Sequence, residues 1–162
     1  MSSGTASNHA PPGNPAENVV TVLSISPTEA DHVFLQHAFS RFNWKLHGVR
    51  SRREAMAWLR RKPSPVVLCE ESLPDCDWKA ILRELASLED PPVLIVTSRL
   101  ADDALWAEVL NLGAYDLLMK PFDLTEVFRV VGQACRQWKS NWERARLHLS
   151  SSRMPKTSAA PA

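Results

Sequence analysis

The sequence predicts an α/β protein in which helices cover both faces of a five-stranded parallel sheet. Five short candidate strands, the first of them an apolar run rich in β-branched residues, alternate along the chain with five segments of helical spacing. The third run, residues 65–70, is apolar without alternation, which is typical of a parallel strand buried on both faces. Such alternation favours right-handed crossovers between neighbouring strands. With 162 residues, of which 44% are apolar, the chain is long enough for one core.

The first strand and the first helix are predicted in the N-terminal part of the chain, after residue 18. Residues 19–25 form a short apolar run, and Pro27 among small polar residues suits the beginning of a helix. Helical spacing then predicts the inward face of this helix, which comprises Ala30, Val33, Phe34, His37, Ala38 and Phe42.

Two further strand–helix units occupy the middle of the chain. Residues 44–49 alternate imperfectly and predict the second strand, and a helix is predicted at residues 51–62. The third strand ends at Glu70. Apolar residues at helical spacing predict the third helix, and they are Trp78, Ile81, Leu82, Leu85 and Leu88.

The last two units complete the predicted sheet. Gly113 is typical of a helix C-cap and Asp123 of a helix N-cap. The predicted strands are residues 93–97 and 115–119, and the predicted helices are residues 101–112 and 123–148.

Polar residues stand where several predicted strands end. Glu70 ends the third strand, Thr97 ends the fourth, and Lys120 follows the fifth. Ser24, Ile25 and Ser26 stand at the end of the first strand. Because the carboxyl ends of parallel strands meet at one edge, where ligands bind in such folds, we expect these residues to lie together.

Several short motifs share the order and spacing of a known family. They are Glu70, Leu73-Pro74, Gly113-Ala114 and Lys120-Pro121-Phe122. Together they resemble the receiver domain of bacterial response regulators over about residues 19–138. The resemblance implies the flavodoxin-like, CheY-like (βα)5 fold. It also implies an aspartate at position 70 that accepts a phosphoryl group, with a hydroxyl at Thr97 and a lysine at Lys120 beside it.

The departures from this family are equally informative. Glu70 replaces the acceptor aspartate, and Ser24 and Ile25 stand where the family has the acidic pair that helps to hold Mg²⁺. Magnesium prefers carboxylate oxygens, and phosphoryl transfer depends on positioning and charge neutralisation. Leu117 replaces the aromatic switch residue, and Trp78 replaces a glycine beside the site, where its ring would fill the space that a kinase histidine needs. We therefore expect no phosphorylation, no metal, no cofactor and no enzymatic activity.

The three retained residues also have structural interpretations. Lys120 is expected to form an ion pair with Glu70, worth between about 1 and 4 kcal/mol before desolvation is subtracted. The Thr97 hydroxyl is expected to be satisfied locally. Glu70 itself has two interpretations, because it either imitates the phosphorylated state or belongs to an inert site.

Charge is unevenly distributed along the chain. Residues 1–135 contain 13 Lys/Arg and 17 Asp/Glu, a net charge of −4, whereas residues 136–162 contain six and one, a net charge of +5. We predict a disordered leader at residues 1–18, a receiver-like domain at 19–138, a basic helical extension at 139–149 and a disordered tail at 150–162. Three cysteines without metal-site spacing indicate free thiols in the cytoplasm, and no segment predicts a membrane span.

The end of the last predicted helix is a candidate interaction surface. Trp138 and Trp142 lie on its apolar stripe, and basic residues surround them, namely Arg136, Lys139, Arg144 and Arg146. Tryptophan is enriched at protein interfaces. The alternative is that Trp138 covers the core and the remaining residues fray. Nucleic-acid binding is disfavoured, because no helix-turn-helix follows and charge alone gives only weak, salt-sensitive binding.

These observations predict a stand-alone, phosphorylation-independent protein-interaction module in bacterial signal transduction. Its partner would be a signalling or regulatory protein, such as a histidine kinase or part of the transcription machinery, or a second copy. The alternatives are a functional response regulator with an unusual switch, a constantly active phosphomimetic receiver and a small-ligand binder.

Overall fold

The chain folds around a five-stranded parallel sheet with the strand order β2-β1-β3-β4-β5. A computed structural model describes residues 19–152. The strands are β1 (Val20–Ile25), β2 (Trp44–Val49), β3 (Val66–Glu70), β4 (Val93–Ser98) and β5 (Asp116–Met119). The helices are α1 (Glu29–Phe39), α2 (Arg52–Leu59), α3 (Trp78–Ala86), α4 (Asp103–Asn111) and α5 (Leu124–Ser152). The predicted flavodoxin-like fold is therefore confirmed.

The helices lie on both faces of the sheet and create two apolar cores. Helices α2, α3 and α4 cover one face, where Ile81, Leu85 and Val109 are buried. Helices α1 and α5 cover the other face, where Leu35 and Val131 are buried. Successive residues of β3 and β4 point alternately into these two cores, which explains why both strands are apolar throughout.

Local signals in the sequence determine where several helices begin and end. The side chains of Ser51, Asp77 and Asp102 each accept a hydrogen bond from a backbone N–H in the first turn of α2, α3 and α4. Asp123 caps α5 in the same way, as predicted. Gly113 follows α4 with φ of +100°, a conformation that favours glycine, as expected of a C-cap.

The buried face of α1 differs from the predicted one. Val33 is 58% exposed and Phe42, beyond the end of the helix, is 48% exposed, although both were assigned to the inward face. The residues that are buried are Asp31, His32, Leu35, Ala38 and Phe39. Leu35, Ala38 and Phe39, at positions i, i+3 and i+4, form the apolar stripe that packs on the sheet, and Asp31 lies one turn before Leu35 on the same face.

Helix α5 is 29 residues long, or about 43 Å at 1.5 Å per residue. It continues through Ser152, so the prediction that the chain is disordered from residue 150 is wrong for residues 150–152. Every residue from Glu143 to the end of the helix is exposed, which shows that the last turns leave the domain. The predicted leader (1–18) and residues 153–162 of the predicted tail lie outside the described part of the chain.

Candidate functional site

A buried lysine lies between two carboxylates at the carboxyl edge of the sheet. The Nζ atom of Lys120 is 2.7 Å from Oδ2 of Asp31 and also forms an ion pair with Oε2 of Glu70. The side chain of Lys120 is only 3% exposed, that of Asp31 9% and that of Glu70 17%. We call these three residues the ion triad. The ion pair between Lys120 and Glu70 was expected from the sequence, whereas Asp31 was not.

Strand pairing brings Glu70 and Thr97 together. The two residues are register partners at the ends of β3 and β4, and Oγ1 of Thr97 donates a hydrogen bond to Oε2 of Glu70 at 3.2 Å. The backbone N–H of Lys120 donates to the carbonyl of Ser98 at 2.9 Å, which places the lysine directly beyond β5. The three site residues predicted from the strand ends therefore lie together at one edge.

Helix α1 contributes Asp31, which the sequence analysis missed. Oγ of Ser26 donates a hydrogen bond to Oδ2 of Asp31 at 2.7 Å, and the same hydroxyl oxygen accepts from the N–H of Thr28 at 3.1 Å. Asp31 thus accepts from both a hydroxyl and an ammonium group, which compensates for its burial. The only signal in the sequence was an acid in the first turn of a helix, where acids are common.

At the end of β1, the residue that reaches the site is Ser26, and not Ser24 or Ile25, the positions that match the acidic pair of the family. Ile25 is register partner to Cys69, so Ser26 is level with Glu70. The side chain of Ile25 belongs to the apolar core, and Ser24 is buried within the strand. Neither side chain forms a hydrogen bond with the ion triad, whereas the Ser26 hydroxyl donates one to Asp31.

A second polar contact lies beside the ion triad. Oγ of Ser98 donates to Oε2 of Glu71 at 2.6 Å and accepts from the N–H of Leu100 at 2.9 Å. Glu71 is only partly exposed. Ser98 therefore binds Glu71, whereas Thr97 binds Glu70.

The residues present do not fit a Mg²⁺ site of the kind that the family resemblance implies. The Lys120 ammonium already lies between the carboxylates of Asp31 and Glu70, and Ser26 offers only a hydroxyl. Magnesium prefers several oxygen ligands, usually including carboxylates that are free to bind it. Across residues 19–152, no group of three or more His, Cys, Asp or Glu residues could hold a metal ion.

Two residues that depart from the family pattern, Leu117 at the switch position and Trp78 at the glycine position, pack in the apolar core. Leu117 is partly buried against the core on the α2–α4 face. Trp78 is only 2% exposed and belongs to the same core. The expectation that its ring fills the space beside the site is therefore wrong.

The tryptophans of α5 lie where the helix leaves the domain. The rings of Trp138 and Trp142 stack with centroids 6.2 Å apart and an interplanar angle of 18°. Trp138 packs against the α1–α5 core, as the alternative interpretation required. The guanidinium of Arg146 lies 4.4 Å from the centroid of a Trp142 ring, a cation–π contact. Among the described residues, no helix is both long enough and apolar enough to cross a membrane.

Comparisons with known proteins agree with this geometry. The family model described as "Response regulator receiver domain" matches residues 32–132. Regulatory protein AtoC of Escherichia coli is 29% identical over 127 residues, which cover 78% of this chain and 28% of AtoC. Transcriptional regulatory protein ZraR of Salmonella typhimurium is 26% identical over 116 residues, 71% of this chain and 26% of ZraR. The chain therefore matches about a quarter of the length of these curated relatives.

Solved receiver domains share the fold. The signal receiver domain of an HD domain-containing protein from Pseudomonas fluorescens superposes with a TM-score of 0.70 at 25% identity, covering 77% of this chain and 93% of that one. The beryllofluoride-activated NtrC4 receiver domain dimer gives a TM-score of 0.68 at 19% identity, covering 73% and 98%. The fold, the lysine at the end of β5 and the family match lead to one conclusion: the chain belongs to the response regulator receiver domain family of two-component signalling.

Proposed function

We propose that this receiver domain acts without phosphorylation, as a protein-binding module in a bacterial signalling pathway. The observation that supports this proposal is the ion triad, in which the ammonium of Lys120 lies between the carboxylates of Asp31 and Glu70. Receiver domains are signalling modules that bind other proteins, and nothing in this site requires catalysis. We accordingly propose that the protein is not an enzyme and needs no cofactor.

Phosphoryl transfer needs a free acceptor oxygen and a cation that neutralises the developing charge. Here Oε2 of Glu70 contacts the ammonium of Lys120 and accepts from the hydroxyl of Thr97. The oxygen that would attack is therefore engaged by the two groups that the resemblance assigns to the phosphoryl group. A bound divalent cation would also have to displace a buried lysine from two carboxylates, at a cost of several kcal/mol.

One contact favours a second candidate function, a receiver that is constantly active. The family resemblance implies that the hydroxyl at position 97 bonds the phosphoryl group in the active state. In this structure the Thr97 hydroxyl donates to Glu70 at 3.2 Å, so the longer glutamate side chain reaches the same donor. Leu117 has no ring that could report such a state by changing position, and this argues for the inert alternative.

The proposal is tested by titrating isotopically labelled protein with Mg²⁺ and then with beryllofluoride, a phosphoryl mimic. The amide resonances of Glu70, Thr97 and Lys120 are expected to stay unchanged, because the acceptor oxygen and both carboxylates are already engaged. Saturable shifts at these residues would show that the site still binds the metal and the phosphoryl mimic, and the proposal would then be wrong.

A conservative variant provides a stricter test. Glu70→Asp restores the acceptor residue of the family. Asp31 stays paired with Lys120 in this variant, and the end of β1 still offers the hydroxyl of Ser26 and no carboxylate. We expect no phosphoaspartate by mass spectrometry after incubation with acetyl phosphate and Mg²⁺. Its detection would show that the acceptor alone was missing and would favour the phosphomimetic interpretation of the natural glutamate.

The proposed location is the cytoplasm. All three cysteines, Cys69, Cys76 and Cys135, are free thiols, as is typical of proteins in reducing compartments. Burial raises the pKa of Cys135 to about 11, so this thiol stays protonated and unreactive at neutral pH. We further propose that the exposed part of α5 is the binding surface, for a protein partner rather than nucleic acid.

A further inference from the structure

The stacked rings of Trp138 and Trp142, which we call the tryptophan ridge, separate two concave surfaces at the base of the domain. One is a groove of about 480 Å³, which Arg136, Lys139, Val20 and Pro65 line together with both rings and Cys135. The other is smaller, at about 60 Å³, and lies against the loop of Glu89, Asp90 and Pro91. The ridge therefore has a basic flank and an acidic flank.

Beyond the ridge, the helix continues an apolar seam without any cover from its own domain. Trp138, Trp142, Ala145 and Leu149 follow one another at intervals of four, three and four residues, which is the spacing of a heptad seam. Leu149 is 65% exposed. A short helical segment without partners is only marginally stable in water, so a seam of this kind is suited to packing against another helix.

The residues beside the seam differ in charge on its two sides. In heptad terms, Lys139 and Arg146 occupy the positions on one flank, whereas Asn141 and His148 occupy those on the other. Asn141 lines the smaller cavity together with Glu89 and Asp90, which places the acidic loop on this second flank. A partner that packs along the seam therefore meets positive charge on one edge only.

We propose that the tryptophan ridge and the seam below it bind an amphipathic helix of a partner protein, acidic along the edge that meets Lys139 and Arg146. The inference rests on the proposed function as a binding module. The apolar side chains of the partner would pack on the rings, and its acidic edge would complete the charge pattern.

A second copy of this chain is the weaker occupant. Within residues 136–152 there are four Lys/Arg and one Asp/Glu, a net charge of +3 on each helix. Antiparallel packing of two such helices would bring their Lys139 and Arg146 edges together, and parallel packing would set each basic edge against Asn141 and His148, whereas an acidic partner would neutralise the basic edge. Charge complementarity therefore favours a partner of different sequence.

The test uses two designed three-heptad peptides with leucine at the seam positions. One has glutamate on both flanking positions, and the other has lysine there. We expect the full-length chain to bind the acidic peptide by fluorescence anisotropy and to leave the lysine peptide unbound. Trp142→Ser is expected to weaken binding by about tenfold or more, as for aromatic anchors at interfaces. Trp106→Ser is the matched control, because Trp106 is an exposed tryptophan on α4 and its loss should leave affinity unchanged.

A charge exchange tests the assignment of the basic edge. The double variant Lys139→Glu, Arg146→Glu should lose the acidic peptide and bind the lysine peptide, while its thermal melting stays unchanged because both residues are exposed. Equal binding of both peptides, binding that survives Trp142→Ser, or no binding would overturn the proposal. Sedimentation of the chain alone would identify self-association, which Trp142→Ser would abolish if a second copy were the true occupant.

The same titrations with beryllofluoride present separate this inference from the proposed function. Acidic-peptide binding that changes on addition of Mg²⁺ and beryllofluoride would contradict phosphorylation independence and leave the docking surface intact. Failure of the peptide to bind, with no response to beryllofluoride at Glu70, would overturn the docking surface alone.

Discussion

The two carboxylates that share Lys120 differ in their environment. Asp31 is almost fully buried and accepts from both Lys120 and Ser26, whereas Glu70 lies nearer to solvent. A charged group that loses its partner in a buried position is more costly than one that water can reach. The stability of the ion triad should therefore depend more on the aspartate than on the glutamate that replaces the acceptor residue.

This difference predicts unequal effects of two conservative substitutions. Asp31→Asn should lower the free energy of unfolding by about 3 kcal/mol, because it breaks a buried ion pair. Glu70→Gln should lower it by about 1 kcal/mol, because Lys120 keeps Asp31 and Thr97 keeps an acceptor. Urea unfolding with unchanged m-values measures both effects. Equal losses, or a larger loss for Glu70→Gln, would show that Asp31 is not the dominant partner.

A stacked histidine predicts a dependence of stability on pH. The ring of His47 lies 3.5 Å from that of Trp58, centroid to centroid, at 8°. Burial lowers the pKa of His47 below its ordinary value of 6.5, and the charges of Lys62 and His32 lower it further. As the pH falls, the His47 imidazole is therefore protonated in the unfolded chain before it is protonated in the folded one. The contribution of His47 to the free energy of unfolding is fully present above pH 6.5 and is lost as the pH falls below it.

The measurement is urea unfolding of the natural chain and of His47→Phe on either side of pH 6.5. The substitution keeps an aromatic ring on Trp58 and removes the titrating group. We expect a shallower decline in stability at acidic pH for the variant. Identical pH profiles would mean that other groups are responsible for the decline.

At the scale of single elements, α1 and α5 show what apolar periodicity can and cannot predict. The strands and the N-cap of α5 follow from local signals, and the predicted strand ends differ from the observed ones by at most one residue. The inward face of α1 was predicted wrongly, because the stripe of Leu35, Ala38 and Phe39 was not chosen, and the contact of Asp31 with Lys120, 89 residues away, has no signal in local periodicity. The pairing of Glu70 with Lys120 was predictable because both residues stand at the carboxyl ends of parallel strands, which meet at one edge of the sheet.

Helix α5 predicts two different results for truncation at neighbouring positions. A chain that ends after Trp142 loses only exposed residues, so its melting temperature should stay unchanged. A chain that ends after Lys139 also loses the stack on Trp138, worth about 1 kcal/mol, which corresponds to roughly 3 °C. Calorimetry of both truncated chains checks this. Unfolding of the longer truncated chain would show that the exposed turns support the core.

At the scale of the whole molecule, the sheet provides a common edge, and α1 and α5 lie on the same face of it. The ion triad joins α1, β3 and β5 at that edge, and the tryptophan ridge extends from the opposite end. Fold class is predictable from alternating segments alone, because each buried strand needs cover on both faces, whereas the strand order is not, because more than one order fits the same alternation. The charge polarity of the ridge is not predictable, because it depends on a loop that is distant in sequence from α5.

The span of the ion triad also has a consequence for the lifetime of the folded state. Its contact between Asp31 and Lys120 links the first helix to the end of the last strand, so we expect it to form late in folding, after the intervening units have assembled. Contacts that are absent from the folding transition state slow unfolding without accelerating folding. Asp31→Asn should therefore increase the unfolding rate in stopped-flow experiments and leave the refolding rate nearly unchanged. The residues of the ion triad would thus determine how long each molecule persists before it unfolds and becomes open to proteolysis.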